Sequence, residues 1–96
     1  MGMKVSYTNF DYEPVYTVPV IASFDAEGHI KPLYVRVGEE RYKVSSYWVK
    51  NRFSHAVEFN CQLQKDDRLI PTLLKYYQQE SVWTIPKHLP FEKYFV

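Results

Sequence analysis

Several kinds of site need residues that are scarce in this sequence. Its 96 residues include one cysteine, Cys61, and only three glycines. A single cysteine excludes an internal disulfide, and isolated glycines exclude both the P-loop and the dinucleotide-binding loop. No run is apolar and long enough for a signal peptide or a membrane span. We therefore expect a cytoplasmic protein that does not bind a membrane and needs no cofactor.

A strong net charge is also missing. Twelve Lys and Arg against eleven Asp and Glu leave +1, so no overall field of either sign attracts nucleic acid or acidic lipid. Any charged binding site must be local. The composition, 46% hydrophobic and 24% charged, is that of a folded chain. The length predicts one domain over 1–96, with a core over about 15–86 and an aromatic tail at each end.

Aromatic residues are abundant, at 18% of the chain, and together with β-branched residues they favour strands. Alternation of apolar and polar residues predicts strands over 16–24, 30–37, 41–49 and 55–64. Pro19 cannot donate a backbone hydrogen bond, which places the first strand at an edge. The first three strands would form a meander.

The alternation also predicts which side chains face the core. In the second strand Leu33 should point inward with Val35 and Val37. The third strand should direct Tyr42, Val44, Ser46 and Trp48 inward, and Arg41, Lys43, Ser45, Tyr47 and Val49 outward. The fourth strand alternates most cleanly, with His55, Val57, Phe59, Cys61 and Leu63 on the core face.

Residues 69–77 fit either a strand or a helix, and Pro71 favours the strand. A last short strand, 82–85, should direct Trp83 and Ile85 inward. Residues 25–29 form a predicted hairpin turn, in which Gly28 can adopt positive φ. The fold class that follows is mainly β with little helix, a small antiparallel barrel or strongly bent sheet of five or six strands, SH3-like in kind.

Five short motifs carry a resemblance to a known group of proteins. They are GHIKPLYV (Gly28 to Val35), YKV (Tyr42 to Val44), EFNC (Glu58 to Cys61), LLKY (Leu73 to Tyr76) and VWTI (Val82 to Ile85). In this order the chain resembles a family of small, barrel-like β proteins of bacteria, including those of clostridial genomes and mobile elements. The resemblance spans about Val18 to Pro86. It implies a compact β fold, and it transfers no catalytic residue.

Catalytic and metal-binding residues are not predicted. His29, His55 and His88 are far apart in the sequence, and His55 and Cys61 would lie about 20 Å apart on one extended strand. Cys61 is expected to be a small buried residue with no base beside it. We expect no metal, no catalytic group and therefore no enzyme.

One segment, 41–52, contains four basic residues and no acid. Positive charge beside an exposed aromatic ring can bind single-stranded nucleic acid through phosphate attraction and base stacking. The predicted binding surface, which we call the basic segment, consists of Arg41, Lys43, Tyr47, Lys50 and Arg52. The alternative is that these side chains are only solvated.

A non-catalytic protein-interaction module is the favoured function, with an unknown protein partner or a second copy of the chain. Small SH3-like barrels bind peptides in aromatic grooves, and the many tyrosines provide amphipathic contact area. The aromatic candidates for this contact are Tyr34, Tyr47, Tyr77, Phe91, Tyr94 and Phe95. Nucleic-acid binding through the basic segment is the second hypothesis.

Overall fold

The computed structural model describes residues 14–87 and contains a single seven-stranded sheet. Every strand pair is antiparallel. The strands are β1 (Val15–Val18), β2 (Val20–Phe24), β3 (Ile30–Val37), β4 (Glu40–Arg52), β5 (Ala56–Lys65), β6 (Arg68–Tyr77) and β7 (Val82–Pro86). The mainly β fold class is confirmed, and 69–77 belongs to a strand. Within residues 14–87 no helix is long and apolar enough to cross a membrane.

The predicted first strand is wrong as a single element, and seven strands replace the expected five or six. Its two halves, β1 and β2, occupy opposite ends of the sheet order β1-β7-β6-β5-β4-β3-β2. Pro19 separates them, because its ring removes the backbone donor and fixes φ. Its carbonyl oxygen accepts a hydrogen bond of 3.0 Å from the N–H of Arg36 in β3. The predicted edge position is confirmed, because both strands that flank Pro19 are edge strands of the sheet.

Since β1 and β2 are joined through one residue, the sheet has to curl until its two edges approach each other. A ring contact across the inner face also shows that the sheet is strongly curved. Phe24 at the end of β2 packs edge-on against Tyr76 of β6, with ring centroids 5.8 Å apart, although three strands lie between β2 and β6 in the sheet. The result is a half-barrel with a concave, apolar inner face.

The inner face holds the core. Phe59 lies between Tyr47 at 6.1 Å and Trp83 at 5.9 Å, measured between ring centroids, and Tyr76 packs 4.6 Å from Trp83. Six of the predicted inward residues of the fourth and last strands are buried: Val57, Phe59, Cys61, Leu63, Trp83 and Ile85. Unbroken alternation in these strands allowed the prediction. The inward position predicted for His55 is wrong, because this residue lies in the turn before β5 and is exposed.

The hairpin turn at 25–29 is confirmed together with its chemistry. The Asp25 carboxylate accepts backbone N–H groups from Glu27 at 3.0 Å and His29 at 2.8 Å. Gly28 adopts φ +87°, which L side chains rarely reach. This turn sets the β2–β3 register.

In β3 the predicted inward position of Leu33 is wrong. Ile21 pairs with Tyr34 and Ala22 with Pro32, so Leu33 is an extra residue in a β-bulge. A bulge shifts the alternation by one residue. Pro32 is consequently buried, and Leu33 is only half-buried.

Candidate binding edge

β4 is the longest strand of the described chain, and two irregularities change the direction of its side chains. Val44 pairs with Leu63 and Ser46 with Gln62, which leaves Ser45 as an extra residue; Lys50 is a second extra residue. Each bulge reverses the inward and outward alternation that follows it. The first bulge therefore inverts the positions predicted for Ser46, Tyr47, Trp48 and Val49.

Tyr47 consequently lies on the inner face, which corrects the prediction that it points outward with Arg41 and Lys43. It pairs with the buried Cys61 and packs edge-on against Phe59. Trp48, predicted to point inward, pairs with Asn60 on the outer face and is 54% exposed. The exposed aromatic ring beside these cations is thus Trp48, which lies outside the predicted basic segment. The sequence interpretation missed it because a bulge has no reliable sequence signal.

The other four members of the basic segment are exposed, but they do not share one face. Arg41 and Lys43 precede the first bulge and lie on the outer face, as predicted. Lys50 is the extra residue of the second bulge, and Arg52 pairs with the inward-facing Val57. Within residues 14–87 none of the four forms an ion pair with a carboxylate.

The longest unpaired stretch of β4 begins where β3 and β4 separate. Tyr34–Val37 of β3 pairs with Glu40–Lys43 of β4, and beyond Lys43 the strands diverge. Residues 44–52 pair with β5 on one side, and no other strand of the described chain pairs with them on the other side. We call this stretch the open edge.

Backbone hydrogen-bonding groups point into the open edge. At the β4–β5 turn the Phe53 N–H donates to the Ala56 carbonyl oxygen at 2.8 Å, towards β5. Successive residues of a strand direct their N–H and C=O groups to opposite sides. Arg52, the preceding residue, therefore directs its backbone groups away from β5 and into the open edge.

A cleft of about 470 Å³ lies between the diverging strands. Lys31, Leu33 and Tyr34 line it on the β3 side, and Lys43, Ser45 and Tyr47 line it on the β4 side. The two carboxylates of β4 and β5, Glu40 and Glu58, are already paired with other groups. Glu40 pairs with Lys65 at 3.3 Å, and Glu58 accepts a hydrogen bond of 2.9 Å from the Asn51 amide and lies 3.7 Å from Lys75. The cleft therefore carries uncompensated positive charge.

A second aromatic group lies on the outer face near the β4–β5 turn. Phe53 stacks on His55, and the Lys75 ammonium lies 5.5 Å from the Phe53 ring centroid and 5.1 Å from that of Tyr77. Tyr77, one of the predicted contact residues, is therefore covered by a cation of its own chain. Phe91, Tyr94 and Phe95, as well as His88, lie outside the described residues.

Cys61 has the properties of a buried core residue. Its side chain is 2% exposed, and its thiol lies 3.9 Å from the Phe59 carbonyl oxygen. Desolvation raises the pKa of the thiol from its ordinary value of 9.0 to about 12. At neutral pH the group is protonated and poorly nucleophilic.

Potential metal ligands meet in one place that the sequence interpretation passed over. Asp25, Glu27 and His29 alternate along the β2–β3 turn, and their ligand atoms lie within 4.8 Å of one another. All three side chains are exposed, and the Asp25 carboxylate already accepts hydrogen bonds from Glu27 and His29. Backbone and side-chain hydrogen bonds from His29 lower the pKa of Asp25. These contacts explain the arrangement as part of the turn.

Comparison with known proteins adds no further constraint. No family model, curated protein or solved structure matches this chain. The functional argument therefore depends on the geometry of the open edge and its charge.

Proposed function

We propose that this chain is a non-catalytic protein-interaction module that binds an extended peptide by strand addition to the open edge of β4. The observation that carries the proposal is the register of β4, since among residues 14–87 only β5 pairs with residues 44–52, on one side of the strand. An exposed edge offers a row of backbone donors and acceptors to an incoming strand. Strand addition is a recurrent mode of peptide recognition, in which main-chain hydrogen bonds provide affinity and side-chain pockets provide specificity.

The charge around the edge favours a peptide that carries carboxylates. The basic segment contains four cations and no acid, and Lys31 faces it across the cleft. Complementary charge accelerates association and excludes partners of like charge. Trp48, exposed beside the edge, would cover one side chain of the added strand.

The same features disfavour pairing with a second copy of this chain. Two β4 edges side by side would bring together two basic segments, and like charges opposite each other destabilise a sheet. The bulges at Ser45 and Lys50 also bend the strand and interfere with regular edge-to-edge pairing. A short peptide without basic residues avoids the charge repulsion, and it has only one bent strand to follow instead of two.

Binding of single-stranded nucleic acid is less well supported by this geometry. The sequence predicts that Tyr47 stacks on a base, but its ring packs against Phe59 on the inner face. The four cations are divided between two faces by the bulges. An oligonucleotide therefore serves as a control in the experiment below.

The proposal also includes the fold classification of the module and the compartment in which it acts. An SH3-like classification would suit a small barrel that binds peptides. SH3 domains bind polyproline helices, however, whereas the open edge of this protein favours an added strand. We place the interaction in the cytoplasm of a bacterium, where the buried thiol of Cys61 stays reduced.

A displayed library of random twelve-residue peptides, selected on the whole chain, tests the proposal. We expect enrichment of peptides that combine β-branched residues with Asp or Glu. Titration of one selected peptide should shift the amide resonances of residues 44–52 in an NMR spectrum. Failure to enrich any peptide, or shifts confined to the outer face of β5 and β6, would contradict strand addition.

Two variants and an oligonucleotide serve as controls. Trp48→Ala should weaken binding of the selected peptide, because Trp48 flanks the open edge. Leu69→Ala removes a side chain of similar exposure, 57% against 54%, from β6 and should leave binding unchanged. Preferential binding of a single-stranded oligonucleotide, with strong salt dependence, would instead support the nucleic-acid hypothesis.

A further inference from the structure

Two arginines lie directly opposite each other next to the point where β3 and β4 separate. Arg36 of β3 pairs with Arg41 of β4, and both side chains are exposed on the outer face. Like charges in such a cross-strand pair destabilise a sheet. Within residues 14–87 neither arginine forms an ion pair with a carboxylate. Glu39 lines a small surface pocket with Arg36 but forms no ion pair with it, so both guanidinium groups are available to a bound anionic group.

This arginine pair lies next to the cleft beside the open edge, and Tyr34 borders both. A groove of about 160 Å³ runs along Ile21, Tyr34, Arg36 and Arg41. Tyr34 lines this groove and the larger cleft as well. The Arg41 guanidinium carbon lies 5.9 Å from the Tyr34 ring centroid, so the ring fixes the cation at the junction.

The direction of β4 determines which end of a peptide reaches the arginines. β4 runs from Glu40, in its paired part, to Arg52 at the far end of the open edge. Every pair in the sheet is antiparallel, and antiparallel pairing is slightly more stable per residue than parallel pairing. A peptide added in this sense reaches Val44 with its C-terminal end. There β3 already occupies the edge, so the peptide has to leave the sheet beside Lys43, Arg41 and Arg36.

We infer that the open edge selects peptides with carboxylates at their C-terminal end, and that Arg36, Arg41 and Lys43 bind those carboxylates. This inference rests on the proposed function, and it adds a direction and a charge pattern to it. These carboxylates belong to Asp and Glu side chains close to the C-terminal end of the peptide. Arg36 and Arg41 act here as specificity determinants, since main-chain hydrogen bonds along residues 44–52 hold the peptide itself.

The test uses two synthetic peptides of identical composition. Both contain the core of one peptide selected from the library and have acetylated and amidated ends; three glutamates follow the core in the first and precede it in the second. We expect the first to bind about fivefold more tightly, a ratio that two exposed ion pairs support. The ratio should approach one as the salt concentration rises, because exposed charges are screened.

Single variants then identify the cations. Arg36→Gln and Arg41→Gln should each reduce the preference, whereas Arg68→Gln, an exposed change at the β5–β6 turn, should leave it intact. Equal affinities, the reverse preference, or a preference that survives in both variants overturns the inference. If both peptides still shift the amides of 44–52, the proposed function stands without it. If neither peptide shifts these amides, the two proposals fail together.

Discussion

Two adjacent aromatic residues test the inverted alternation in β4. Tyr47 and Trp48 occupy neighbouring positions, and simple alternation from Tyr42 would bury Trp48 and expose Tyr47. The structure places Tyr47 against Phe59 and leaves Trp48 54% exposed on the outer face. We predict that Tyr47→Ala destabilises the fold considerably more than Trp48→Ala.

The magnitudes follow from burial and ring contacts. Truncation of a fully buried aromatic residue to alanine costs about 3–5 kcal/mol, and half-burial reduces this to about 2 kcal/mol for Tyr47. Loss of the edge-on contact with Phe59 adds about 0.5–1 kcal/mol. For Trp48→Ala, which removes mainly cross-strand contacts with Asn60, we expect less than about 1 kcal/mol.

Equilibrium unfolding in urea measures both changes. With a slope of about 1–3 kcal/mol per molar urea, Tyr47→Ala should lower the midpoint by about 1–3 M. Tyr47→Phe is the matched control, because it retains the ring and its contact with Phe59. A larger loss for Trp48→Ala than for Tyr47→Ala would refute the bulge at Ser45 and the face assignment that follows from it.

Four further predictions concern three residues. The pKa of Cys61 is raised to about 12, so the thiol of the unfolded chain loses its proton at lower pH than the thiol of the folded protein. The free energy of unfolding should therefore fall as pH rises above 9.0, and it should fall more steeply than in Cys61→Ala. Equilibrium unfolding at a series of pH values measures the difference. The Cys61 thiol should also react with a disulfide reagent at pH 8 only after urea is added, and rapid reaction of the folded protein would contradict its burial. Gly28→Ala should lower the free energy of unfolding in urea by about 1 kcal/mol, because φ at this position is +87°. The added methyl group meets no neighbouring atom, so the cost comes from the backbone alone. An unchanged midpoint would refute the left-handed conformation. An NMR titration should give the Asp25 carboxyl a pKa below its ordinary value of 3.8. The stability that this carboxylate contributes is therefore present above pH 3.8 and is lost as pH falls through the lowered pKa. Asp25→Asn should remove this acid dependence of stability.

Much of the fold could be predicted from periodicity alone. β5 alternates without interruption, so Phe59, Cys61 and Leu63 were placed correctly on the core face. The segment 69–77 was ambiguous in period, and Pro71 correctly favoured a strand. The antiparallel, strongly bent sheet follows from these short strands and the turns between them.

The errors have physical causes that a single sequence does not reveal. The bulges at Leu33, Ser45 and Lys50 each add one residue to a strand, and no residue type marks such an insertion. Pro19 signalled an edge, but only the pairing partners show that β1 and β2 lie at opposite ends of the sheet.

The candidate site was predicted in part. Arg41 and Lys43 lie on the outer face as expected, whereas Tyr47 does not. The open edge itself has no local signal, because it results from the unequal lengths over which β3 and β5 pair with β4. Pairing lengths depend on contacts between segments that are distant in sequence.

Amide hydrogen exchange along β4 tests the central claim most directly. In the protein alone, amides of 44–52 that point away from β5, including that of Arg52, should exchange rapidly, while those between β4 and β5 are protected. Addition of a selected peptide should protect the rapidly exchanging set. Slow exchange of all amides of 44–52 before any peptide is added would show that this edge is already paired, and would contradict the account.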